Sequence, residues 1–100
     1  MSRVEIAAEA MGDAIIIDRW WREHRTAAPS AFRDDLDWLT RLLSEAALLG
    51  RRIRVRGSRH VRRVLMPRTL HHAYYAIDDE ADVVIVMRIW SAKRRRRPRL

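Results

Sequence analysis

Four histidines, a cluster of carboxylates and an excess of arginine are the residues of this 100-residue chain that could do chemistry. His71 and His72 are adjacent in a stretch that reads as a strand, so their side chains point to opposite faces and cannot readily chelate one ion. His24 and His60 lie far off in sequence, and there is no cysteine to complete a ligand set. No metal site and no cofactor is expected. Asp78, Asp79, Glu80 and Asp82 crowd one short connection. Two carboxylates act as acid and base when they share a cleft. A hairpin tip is not a cleft, and these four read as a solvated turn. There is no G-x-S-x-G, no P-loop and no G-x-G-x-x-G.

The arginines remain. Residues 1–50 hold 6 Lys/Arg against 9 Asp/Glu, and residues 51–100 hold 15 against 4, so the halves carry −3 and +11. The basic half must meet something acidic: nucleic acid, an acidic protein segment or counterions. Lys93 is the only lysine. A forked guanidinium suits phosphate and carboxylate, although a GC-rich genome also favours arginine codons. Arg62 and Arg63 occupy opposite faces of a strand, and Arg88 shares a face with Trp90. Such residues line a phosphate-binding surface with Trp90, Tyr74 or Tyr75 for base stacking, or pair with an acidic peptide. They equally describe a sheet face kept soluble by arginine.

The elements that would position these groups follow from periodicity. Val4 to Ala8 reads as a short strand. From Ala8 to His24 the pattern turns helical, with Ala10, Ala14, Ile17 and Trp21 on one arc and Ile16 and Trp20 flanking it. Pro29 suits the first position of a second helix, with Asp34 and Asp35 near its positive end. Phe32, Leu36, Leu39, Leu43 and Ala46/Ala47 form its apolar face, and Gly50 is a natural stop. The short connection makes an antiparallel helical hairpin. Arg51 to Arg56 reads as either loop or strand, and Gly57-Ser58 as a turn. His60–Met66, Leu70–Ile77 and Asp82–Trp90 then read as three strands of an antiparallel meander.

Strict alternation in the last strand groups Val83, Ile85, Met87 and Ile89 on one face and Val84, Val86, Arg88 and Trp90 on the other. Both faces are mostly apolar, while one helical hairpin covers only one face. The second face needs a cover, either a partner chain or the sheet's own curl. Residues 1–92 read as one domain able to bury roughly 60–65% of its unfolded surface, and residues 93–100 as a mobile basic tail. The N-terminal residues show no secretory pattern, no apolar run approaches the ~20 residues of a membrane span, and the lack of cysteine fits a reducing cytoplasm.

Strand, two helices and three strands in a basic chain of this length resemble the RelE/ParE superfamily of bacterial toxins, and the ParE-like branch in particular. The sharpest pieces are Val61-Arg62-Arg63-Val64-Leu65, Tyr74-Tyr75-Ala76-Ile77-Asp78 and Ile89-Trp90-Ser91-Ala92-Lys93-Arg94, with Pro29, Ala31 and Phe32 at the start of the second helix. Ser91 stands where ParE-like chains commonly carry a histidine. The resemblance implies an α+β fold, β-α-α-β-β-β, with the helical hairpin packed on an antiparallel sheet. It implies a type II toxin whose cognate antitoxin wraps it with a C-terminal segment, giving a hetero-oligomer that meets operator DNA only through the antitoxin. The antitoxin-binding candidates are Arg62, Tyr75, Val84 and Val86.

The branches imply different targets. ParE-like toxins inhibit DNA gyrase by binding, which points to Arg88, Trp90, Lys93, Arg94 and Arg95 as target contacts. RelE-like toxins cut messenger RNA on the ribosome, and carrying their basic residues over gives Arg62, His71 and Arg94. Val64 occupies another of their basic positions, and no tyrosine follows Tyr75. In-line attack needs a base, an acid and charge stabilisation held together. The set looks incomplete, which favours binding over turnover.

Overall fold

The computed structural model describes residues 1–55 and 60–100. The expected turn at Gly57-Ser58 lies outside the described residues. The chain runs β1 (Arg3–Ile6), α1 (Ala8–His24), α2 (Ala31–Ala46), a single 3-10 turn (Ala47–Leu49), β2 (Arg51–Ile53), β3 (Val61–Met66), β4 (His71–Asp78) and β5 (Val83–Ser91). The five strands form one sheet in the order β1-β5-β4-β3-β2. The β3-β4-β5 meander and the β2–β3 pair are antiparallel, as expected of the α+β class, while β1 adds to the outer edge of β5 in parallel. The sheet is therefore mixed.

The helices begin and end for local reasons. Pro29 does not open α2. It sits second in a turn closed by Ala31 N donating to Ala28 O (3.2 Å), where its fixed φ is suited. The apolar arc of α2 then puts Phe32, Leu39 and Leu43 into the core. Each such side chain, fully buried, is worth about 1.5–3 kcal/mol. On α1 the buried residues are the small Ala10 and Ala14, which let the helix lie close to β5, with Ile17 and Trp21 packed at the margin. Met11, Ile15, Ile16 and Trp20 stay exposed on its outer side.

One residue in β5 decides which side chains face the helices. Tyr74 stands opposite Arg88 but Tyr75 stands opposite Val86, so Met87 has no partner and forms a bulge. The expected alternation breaks there. Val84 and Val86 join Ile89, rather than Arg88 and Trp90, on the face beneath the helices. Ala73 and Tyr75 of β4 and Met66 of β3 complete that core.

By cross-strand pairing, the opposite face carries Arg63, Leu65, His72, Tyr74, Arg88 and Trp90. The C-terminal residues, expected as a mobile extension, fold back along this face. Trp90 Nε1 donates to Arg96 O (2.8 Å), Arg88 Nη1 to Arg99 O (3.3 Å) and Arg97 Nη1 to Arg54 O (2.9 Å). Those three bonds run from β5 to the far end of β2. Pro98 is buried, as are Tyr74 and Val61 on the sheet face. The second cover needed by an apolar sheet is thus supplied in part by this chain's own tail.

Gly50 is required by close approach rather than by a left-handed turn, since its φ is −65°. Its N–H donates to Tyr75 Oη (2.9 Å), which donates in turn to Ala47 O (2.6 Å), and a β-carbon at Gly50 would overlap the tyrosine hydroxyl. We expect Gly50→Ala to destabilise the fold by about 1–3 kcal/mol, measured as a fall in the urea midpoint at constant slope. The double variant with Tyr75→Phe should cost less than the two single changes added together.

Candidate functional site

β1 ends at Ile6, and the last backbone bond on that side is Ala7 N to Val86 O (2.9 Å). Beyond it the edge of β5 would be bare, and an unpaired strand edge is costly or sticky. Asp13 of α1 takes over. Its Oδ2 accepts from Ile89 N (3.0 Å), and its two oxygens accept from Arg88 Nε (2.8 Å) and Nη2 (2.9 Å). The bidentate bond raises the arginine pKa further. Arg88 is thus turned to the sheet edge and half-buried.

Next to this pair lies a cavity of about 140 Å³, lined by Asp13, Ile16, Ile17, His71, Ile89, Trp90, Ser91 and Arg94. Apolar walls with a few convergent polar groups are the usual make-up of a ligand site. The guanidinium of Arg94 sits 4.2 Å from the Trp90 ring centroid, and that of Arg88 sits 5.3 Å from it. A wider cleft of about 550 Å³ opens on the tail side of the same indole, walled by Arg94, Arg95, Arg96, Arg97 and Arg99. None of these five has an acidic partner among the described residues.

His71 is held from behind. Its Nδ1 lies 3.0 Å from Thr69 Oγ1, which donates to Asp35 Oδ2 at 2.7 Å. Phe32 packs against the ring in a T-shaped contact, with 5.5 Å between centroids. Burial pushes the imidazole pKa below its ordinary 6.5. The negative charge of Asp35 and a hydrogen bond to the Thr69 backbone oppose the fall, and the Arg94 charge adds to it. His72, on the other face, is also lowered, by burial first and then by Arg63.

The residues singled out in the sequence fall into three places. Arg88, Trp90, Lys93, Arg94 and Arg95 lie together at and just beyond the end of β5. His71 and Arg94 share the smaller cavity, but Arg62 does not join them. Arg62 pairs with Tyr75 and Met66 with His71, a separation of four residues, or roughly 13 Å along the strand. Its Nη1 is engaged by the carbonyls of Gly50 (2.8 Å) and Leu48 (3.2 Å). Tyr75, Val84 and Val86 are buried beneath this chain's own helices, so they offer no surface to a partner. The bulge explains the two valines, and the 3-10 turn that holds its hydroxyl explains the tyrosine.

The sequence pattern does not mark Asp13, Asp35, Thr69 or Ser91 as site residues. One signal for Asp35 was present. It falls on the same helical arc as Phe32 and Leu39, where an acidic residue needs buried donors.

No protein-family model matches the sequence, and no curated protein is similar to it at sequence level. Among solved structures, a chain of the intact RelBE toxin–antitoxin complex of E. coli is similar in fold. The TM-score is 0.56, with 18% identity over 94% of this chain and 100% of that one. At that identity the likeness is one of fold.

Two outcomes are expected for His71. Its NMR titration midpoint should lie below 6.5, and Arg94→Ala should raise it by removing a repelling charge. Because the folded value is the lower one, the unfolded chain binds this proton first as pH falls. His71 therefore costs stability from about pH 6.5 down to the folded midpoint, below which the loss is constant. Urea midpoints of the parent and His71→Gln across that window would show the difference narrowing.

Proposed function

We propose that this chain is the toxin of a type II toxin–antitoxin pair, held inactive by a cognate antitoxin protein in the cytoplasm. The fold it shares with a chain of the RelBE complex carries this reading. We further propose that it acts by binding its target rather than by turnover. In this reading the contact surface is Trp90, Lys93, Arg94 and Arg95, with Arg88 buttressing it through Asp13. The distance of Arg62 from the cavity that His71 and Arg94 line, roughly 13 Å along the strand, supports binding, because it leaves a nuclease set one cation short at that site. The ParE-like motifs make DNA gyrase the target to test first.

A second reading, messenger RNA cleavage of the RelE-like kind, is favoured by one observation: His71 and Arg94 line one cavity. Titrated induction of the chain without antitoxin, in bacteria carrying a DNA-damage reporter, separates the two. The expected outcome is growth arrest with the reporter on, abolished by Arg94→Glu combined with Trp90→Ala. Arrest with a silent reporter and new messenger ends would move the assignment to RNA cleavage. Soluble protein without arrest would remove the toxin reading for that host.

A further inference from the structure

The small cavity beside β5 has a feature that neither target reading uses. Asp35 is only 1% exposed, and it accepts from Thr69 N (2.8 Å), Thr69 Oγ1 (2.7 Å) and Arg68 N (3.2 Å). A carboxylate only accepts, so the single hydroxyl proton of Thr69 is committed to it. The threonine oxygen then has only lone pairs to offer His71 Nδ1 at 3.0 Å, and that nitrogen must carry the hydrogen. Phe32 fixes the ring plane from the side. Every hydrogen-bond partner of the ring among the described residues belongs to Thr69. Nε2 is left as the free nitrogen of a side chain that lines the cavity.

We propose that Asp35 and Thr69 are positioning residues that lock His71 as its Nδ1–H tautomer. Nε2 is then a fixed proton acceptor beside the Arg94 cation, and the site takes an oxyanion that still carries a hydroxyl. Inorganic phosphate at neutral pH has this pairing, with P–OH for Nε2 and charged oxygens for the guanidinium. Sulfate has the charge and the shape but no proton to give. The Asp13 carboxylate at the cavity wall does not oppose the anion strongly, because its charge is paired with Arg88. Ser91, which carries a hydroxyl, also lines the cavity. A neutral imidazole, as burial dictates at pH 7, is the form that can accept.

The inference stands on this site alone and does not require the chain to be toxic. Its test is imidazole nitrogen NMR of the labelled full chain, with Thr69→Val and Thr69→Ser as variants and inorganic phosphate and sulfate as probes. The wild type should show His71 with Nδ1 protonated. Thr69→Ser should keep that state, and Thr69→Val should lose part of it, because only the backbone carbonyl remains as acceptor. Phosphate should move the His71 Nε2 resonance and bind roughly 3- to 10-fold more tightly than sulfate at equal ionic strength, the worth of one hydrogen bond. In Thr69→Val that preference should shrink toward one. A wild-type His71 protonated on Nε2, or a tautomer unchanged in Thr69→Val, would overturn the positioning role. Equal affinity for the two anions would overturn the ligand class, with the arginine-rich tail then accounting for all the binding.

Discussion

The buried carboxylate of Asp35 is the contact on which the arrangement of helix, turn and sheet depends. It stands in the first turns of α2 and satisfies three donors of the β3–β4 connection, two of them backbone N–H groups. A charge this deep is tolerable only with such partners. In return it fixes the Pro67–Leu70 turn, which closes through Leu70 N to Met66 O (3.0 Å) with Leu70 at a left-handed φ of 58°. The same turn accepts Ala92 N at Leu70 O (3.0 Å), so the start of the C-terminal segment is set by it as well. One aspartate therefore ties α2, the meander and the root of the tail into a single unit, with His71 at its centre.

Asp13 has the corresponding role for α1. Asp13, and Asp34 beside Asp35, show how the acidic N-terminal half meets the basic C-terminal half. Asp13 binds Arg88 and Asp34 pairs with Arg68. Part of the remaining excess is concentrated at one place. Arg94 to Arg97 and Arg99 gather around one indole without carboxylates, so the field there is strong and uncompensated. Helices with modest charge thus hold a sheet whose end is an anion-seeking surface.

Much of this was legible in the residues. The helices, the three long strands and the apolar arc of α2 follow from periodicities of 3.6 and 2.0, and the structure places them within a residue or two. What was not legible has physical causes. The bulge at Met87 cannot be read from a strand that is apolar on both faces, because alternation then carries no phase. Every face assignment after it was inverted for that reason. The tail lacks periodicity, so its sequence reads as a mobile extension. It is held by main-chain carbonyls accepting from Trp90, Arg88 and Arg97, and such bonds leave no compositional trace. Asp35 reads as a helix-terminus charge because the turn it meets lies more than thirty residues away in sequence.

The folded-back tail makes this chain its own competitor. It is tethered directly to the end of β5, so it meets the sheet face at an effective concentration of millimolar order. A segment arriving from another molecule must outbid that local supply before any of its contacts count. Its apparent affinity falls by the fraction of time the tail is seated. Partners that seize the freed arginines as they displace the tail regain part of that loss, so the face selects for acidic chains over merely apolar ones.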